Sequence, residues 1–109
     1  MDKNLAWIYL LLAGAAEIGF ASFLKSSQGL TRIWPSVGFV VFAIVSFALL
    51  TRAMQSIPLG TAYAVWTGIG AAGTAVVGIL LFGDPITASR IFFLILLVIA
   101  IIGLKFSSV

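Results

Sequence analysis

The chain contains no cysteine and no histidine. Without thiols it can form no disulfide, thiolate nucleophile or thiolate metal site, and without imidazole it lacks the commonest metal ligand. No metal, no cofactor and no enzyme chemistry is expected, since no nucleophile–base pair can be assembled from what remains. Charge is equally scarce. Six Lys and Arg and three Asp and Glu make 8% of 109 residues, against about 25% in an ordinary soluble domain. A net charge of +3, scattered along the chain, does not suit nucleic-acid binding.

What is abundant is apolar: 62% of the residues are hydrophobic. They fall into four blocks, about 5–24, 33–50, 58–82 and 86–104, each near the roughly 17–25 residues that cross a hydrocarbon core as a helix. Lipid leaves no backbone group unpaired, and the blocks lack the polar–apolar alternation of barrel strands. The expected fold is an all-α membrane protein. Residues 1–109 read as one four-helix transmembrane domain in contact with membrane lipid. The first block is too long for a signal-peptide core and holds a carboxylate, so it is read as a retained span.

The breaks are short. Lys25 to Arg32 is polar with one glycine, and Pro35 suits a first helical turn. Thr51 to Ile57 ends at Pro58, and Gly83-Asp84-Pro85 is a tight turn with Thr87 as a candidate N-cap. Short breaks predict antiparallel neighbours with both termini on one side. That side then carries Lys3, Arg52 and Lys105, and the other Lys25, Arg32 and Arg90. Three against three gives no positive-inside bias, which predicts insertion in both directions.

Glu17 stands near the middle of the first block and is its only carboxylate. An ionisable side chain at that depth is costly and marks a cation or proton pathway. Four helices enclose too little space to shield such a pathway alone. Secondary transporters commonly place substrate between inverted repeats near the midplane, and two oppositely inserted copies would supply that symmetry. The predicted unit is an antiparallel homodimer with two Glu17 side chains near each other.

Around Glu17, Ala13-Gly14-Ala15-Ala16 and Gly19 suit close helix approach, and Gly14 and Phe20 share its helical face. The third block holds Tyr63, Trp66 and Thr67 among small residues. A Tyr63 hydroxyl could reach Glu17, and an aromatic ring could hold a cation. Gly68, Gly70 and Gly73 weaken the helix there and form a candidate hinge. Ser46, the main hydroxyl deep in the second block, donates either to Glu17 or back to its own helix. Trp7 and Trp34, near block ends, read as interfacial anchors. The fourth block, 91–104, has no polar side chain and offers packing only.

These residues resemble the small multidrug resistance transporters over nearly the whole chain: Glu17, Lys25-x-x-x-Gly29-x-Thr31-Arg32-x-x-Pro35-Ser36, and Pro58-x-Gly60-Thr61-Ala62-Tyr63-Ala64-Val65-Trp66-Thr67-Gly68-Ile69-Gly70. The resemblance implies antiparallel dimers of four-helix protomers in the bacterial inner (plasma) membrane that exchange protons for organic cations. It implies that Glu17 binds proton and substrate, that Tyr63 and Trp66 line the pocket, and that Ser46 supports the carboxylate. Trp66 to Thr74 and Gly103-Leu104-Lys105 resemble the guanidinium-exporter subtype, whereas Thr31 to Gly38 looks equally like the quaternary-ammonium subtype. Guanidinium exporters usually carry tryptophan three residues after the glutamate; here that position is Phe20.

The expected function is proton-coupled export of guanidinium or substituted guanidinium ions, with the Glu17 pair taking protons or cation in turn. A promiscuous quaternary-ammonium multidrug exporter of the same family is the alternative. A passive cation pore and an accessory membrane subunit are the rival classes.

Overall fold

The computed structural model describes residues 2–107. Among them are four helices: α1 (Lys3–Ser26), α2 (Ile33–Ala53), α3 (Leu59–Leu81) and α4 (Ala88–Ser107). Each is long and apolar enough to cross a membrane. The shortest, at 20 residues, spans roughly 30 Å at 1.5 Å per residue, the thickness of a hydrocarbon core.

Local chemistry sets the boundaries. Asp2 caps α1 by accepting from the Asn4 backbone N–H at 3.2 Å. At the other end the Ser27 hydroxyl donates to the Leu24 carbonyl at 2.7 Å and accepts from the Leu30 N–H at 3.0 Å. The chain then reverses through Gln28, Gly29 and Leu30, all with positive φ; only the glycine adopts that region without steric cost. Pro35 lies in the first turn of α2, where its missing N–H is not needed. Pro58 is the N-cap residue of α3. Thr87 caps α4, as expected, by accepting from the Arg90 N–H at 3.2 Å.

The helices form a slab of 41 × 35 × 17 Å, its short dimension less than two helix diameters of about 10–12 Å each. The order across the slab is α4, α3, α1, α2, with α1 packed on both α2 and α3. This corrects the expectation that all consecutive helices are close neighbours: α2 and α3 meet only locally, where Ser46 and Phe47 reach Trp66, because α1 packs on both. The termini do share a side. Lys105 Nζ lies 5.1 Å from the Trp7 ring centroid, bringing the end of α4 to the start of α1, and the Arg52 guanidinium lies 6.0 Å from that of Tyr9.

Packing is uneven along the slab. The core of Ala6, Trp7, Leu10, Ala13, Leu50, Ala53, Ile57, Ala62, Val65 and Trp66 gathers toward the terminal side. In α1 no residue beyond Ala16 is buried. The slab is therefore tight at one membrane face and loose at the other. Trp7 belongs to this core and is not a lipid-facing anchor, because α1 carries it inward beside Leu10 and Ala6; Trp34, in the first turn of α2, is 81% exposed. No residue of α4 is buried, which suits contact with lipid or a second protomer.

Candidate functional site

The α1–α3 seam is a sequence of three close contacts. A Cβ on Gly14 would meet the branched carbons of Ile69, one on Gly70 would fall on the Glu17 carboxylate, and one on Gly73 would fall on Ile18. The small residue comes from α1 at the first contact and from α3 at the next two. As α1 advances from 14 to 18, α3 advances from 69 to 73, so the two helices run in the same direction. Glu17 is seated by the absence of a side chain opposite it: its carboxylate rests on the bare backbone of Gly70.

That carboxylate is left poorly satisfied. Glu17 Oε1 is buried, and among the described residues it has no hydrogen-bond partner. A buried acceptor without a donor costs about 1–3 kcal/mol, more when charged. Such a group fits a site whose partner is a proton, a cation or a second chain.

Ser46 has neither of its two expected partners. Its hydroxyl donates across helices to the Ala13 carbonyl at 2.7 Å and accepts from the Trp66 indole N–H at 2.9 Å. Ser46 is fully buried where α1, α2 and α3 converge, so neighbouring helices supply both of its partners. Ser46 ties three helices together and fixes the Trp66 ring one turn from Gly70. Tyr63 does not reach Glu17 within the protomer. It is 54% exposed and packs on Trp66 with ring centroids 5.6 Å apart.

Phe20 stands at the centre of an aromatic series not anticipated from the sequence. It meets Phe39 edge-on at 5.9 Å and stacks with Phe47 at 6.3 Å, and Phe47 meets Trp66 at 5.4 Å. Rings from α1, α2 and α3 thereby join Phe39 to Tyr63. Phe39 and Phe47 are eight residues apart, hence on one face of α2, and Phe47 follows Ser46. That spacing was the available signal.

Gly68, Gly70 and Gly73 lie in an unbroken helix. Each is used for a close approach: Gly68 to Ile101 of α4, Gly70 to Glu17, and Gly73 to Ile18.

A family model described as Small Multidrug Resistance protein matches residues 5–97. Proteins named guanidinium exporter from Citrobacter freundii and Salmonella typhimurium are 50% identical over 104 residues, covering 95% of this chain and 99% of theirs. One of the same name from Escherichia coli K12 is 51% identical over the same span. The mid-span glutamate on its glycine, the hydroxyl and ring beside it and this end-to-end similarity lead to one assignment: the chain belongs to the small multidrug resistance family.

Proposed function

We propose that this multi-pass protein of the bacterial inner membrane exports guanidinium or substituted guanidinium ions in exchange for protons. The working unit is an antiparallel homodimer in which each protomer is one four-helix domain. The observation that carries this reading is the Glu17 carboxylate held on Gly70 at mid-span with Oε1 buried and unpartnered.

A carboxylate in that position is stable when a proton or a cation accompanies it. Guanidinium is planar and matches carboxylate oxygens through paired N–H donors. Two Glu17 side chains from oppositely inserted copies would share one cation, or hold protons in its absence. Because both ligands need the same oxygens, they are exchanged rather than carried together, and an inward proton gradient then drives the cation outward. The equal split of Lys and Arg between the two sides supports insertion both ways. The thinness of the slab supports a second protomer, since Glu17 is only partly buried within it. The partner would complete a pocket from Gly14, Phe20, Ser46, Tyr63 and Trp66, with the exposed Tyr63 reaching across the interface. Gly68, Gly70 and Gly73 would let α3 bend as access alternates.

A second reading, export of quaternary ammonium ions, is favoured by one observation. The series Phe39, Phe20, Phe47 and Trp66 offers ring faces rather than an indole donor at Phe20, and ring faces hold quaternary ammonium by cation–π attraction.

Proteoliposomes containing the purified protein test both. Guanidinium-driven proton movement lost in Glu17→Gln is expected. Activity with tetrapropylammonium but not guanidinium would select the second reading, and conduction without proton coupling would replace both by a pore.

A further inference from the structure

We propose that Asp84, together with the cavity between the loose ends of α1 and α3, is a second cation-binding station that hands guanidinium-class cations to and from Glu17. This rests on the exchange reading above and extends it. Three observations carry it.

The first is a repeated device on α3. A Cβ on Gly78 would fall on Asp84 Oδ2, just as one on Gly70 would fall on the Glu17 carboxylate. Both carboxylates are thus seated on bare glycine backbone of the same helix. Gly70 and Gly78 are eight residues apart, on one face and about 12 Å apart along the axis. Thr74 lies midway between them.

The second is a space that runs from Asp84 toward Glu17. A cavity of about 190 Å³ is lined by Ala21, Ser22, Thr74, Gly78, Phe82 and Asp84, with Lys25 at its rim. Ala21 and Thr74, at its inner end, each stand one turn beyond Glu17 and Gly70, with the close Ile18–Gly73 contact between. About one probe sphere of volume admits a water, and this space therefore accommodates a small hydrated or partly dehydrated cation. It opens at the membrane face where α1 has no buried residue.

The third is that the Asp84 side chain has no structural employment, the residue being tied to α3 only by its backbone N–H, which donates to the Gly78 carbonyl at 3.0 Å. Thr87, not Asp84, caps α4, and among the described residues the Asp84 carboxylate makes no hydrogen bond or ion pair. The charges around it are basic. Lys25 is exposed, and Arg32 is engaged through Nη1 with the Ser26 carbonyl at 3.2 Å. Asp84, exposed at the mouth with Oδ2 over Gly78 of α3, is among the described residues the one group there whose charge attracts the cation. Lys25, on a flexible stem, competes with the cation for it. In an antiparallel pair each membrane face would have one such station.

Because the chain has no native cysteine, Thr74→Cys offers a direct probe in the full-length protein. Its reaction with a cationic and an anionic water-soluble methanethiosulfonate is compared in Asp84 and Asp84→Asn backgrounds. The ratio of cationic to anionic rates is expected to fall at least threefold in Asp84→Asn and to rise in Lys25→Gln. A Thr74→Cys thiol that reacts with neither reagent, or a ratio unmoved by Asp84→Asn, overturns the proposal. In proteoliposomes Asp84→Asn is expected to raise the guanidinium KM at least threefold at low ionic strength, with kcat within twofold and the difference shrinking in high salt. An unchanged KM also overturns it. If the wild type moves no guanidinium, the exchange reading fails instead, and the thiol ratios still decide whether Asp84 draws cations into the cavity.

Discussion

The carboxylate of Glu17 occupies the space that a side chain on Gly70 would fill. A methyl group at position 70 would displace the glutamate from Cγ outward, a flexible side chain that can turn aside while the backbone stays in place. Gly70→Ala is therefore expected to leave the fold and dimer intact while reducing guanidinium exchange at least tenfold. Gly14→Ala makes the contrast, because its methyl would strike Ile69, a β-branched side chain that is stiff within a helix. Overpacking of that kind costs about 1–3 kcal/mol. Thermal unfolding in detergent beside transport assays checks both: loss of stability in Gly70→Ala as large as in Gly14→Ala would contradict the seat assigned to the carboxylate.

The link from Ala13 through Ser46 to Trp66 makes a separable prediction. Ser46→Ala leaves the buried indole N–H and the Ala13 carbonyl without their partner, and is expected to cost about 1–2 kcal/mol. Trp66→Phe removes the donor and loses packing. The double variant should be less destabilised than the sum of the two, since the orphaned donor is then absent. Additive losses would mean that the Ser46–Trp66 hydrogen bond contributes no coupling.

How far such relationships were legible beforehand depends on their physical range. The four helices and their ends were readable because length, hydropathy, prolines and the Thr87 cap act locally. Glu17 stood out because a carboxylate in a long apolar block is conspicuous on its own. The partner of Ser46 was not readable, because a choice among Glu17, its own helix and a neighbouring backbone depends on which helix lies closest. Trp7 was misplaced for the same reason: proximity to a helix end does not say whether the side chain faces lipid or α2 and α3. The slab order, with α1 between α2 and α3, arises from small-to-large fits such as Gly14 against Ile69, and these pairings leave no periodic trace. The ring series through Phe20 was half legible, since the spacing of Phe39 and Phe47 was visible but their shared target was not.

Phe20 makes the substrate range testable. Its ring lies between Phe39 and Phe47, so Phe20→Trp enlarges a side chain already in contact on two sides and adds an N–H donor near the carboxylate. The donor can order Glu17 for bidentate recognition, while the extra volume narrows the apolar space. Phe20→Trp is expected to raise the preference for guanidinium over tetrapropylammonium at least fivefold in competition assays in proteoliposomes. An unchanged ratio would remove Phe20 from the residues that set selectivity.

Proton and cation are proposed to compete for the Glu17 carboxylates, and this fixes the sign of the pH dependence. Lowering the pH fills the carboxylates with protons, so guanidinium affinity should fall as pH falls and level off at high pH, where no proton remains to be displaced. Each displaced proton weakens the apparent affinity by at most tenfold per pH unit, equal to about 1.4 kcal/mol. By reciprocity, cation binding must release the same number of protons. A slope steeper than tenfold per unit would show that both Glu17 side chains of a dimer surrender protons to one cation, because a single carboxylate cannot exceed that limit. Calorimetric titrations of guanidinium in buffers of different ionisation enthalpy, repeated across pH, read the affinity and the proton count together. Affinity that is independent of pH, or binding that persists unchanged in Glu17→Gln, would show that the cation is held elsewhere and that the mid-span carboxylate does not couple the two ions.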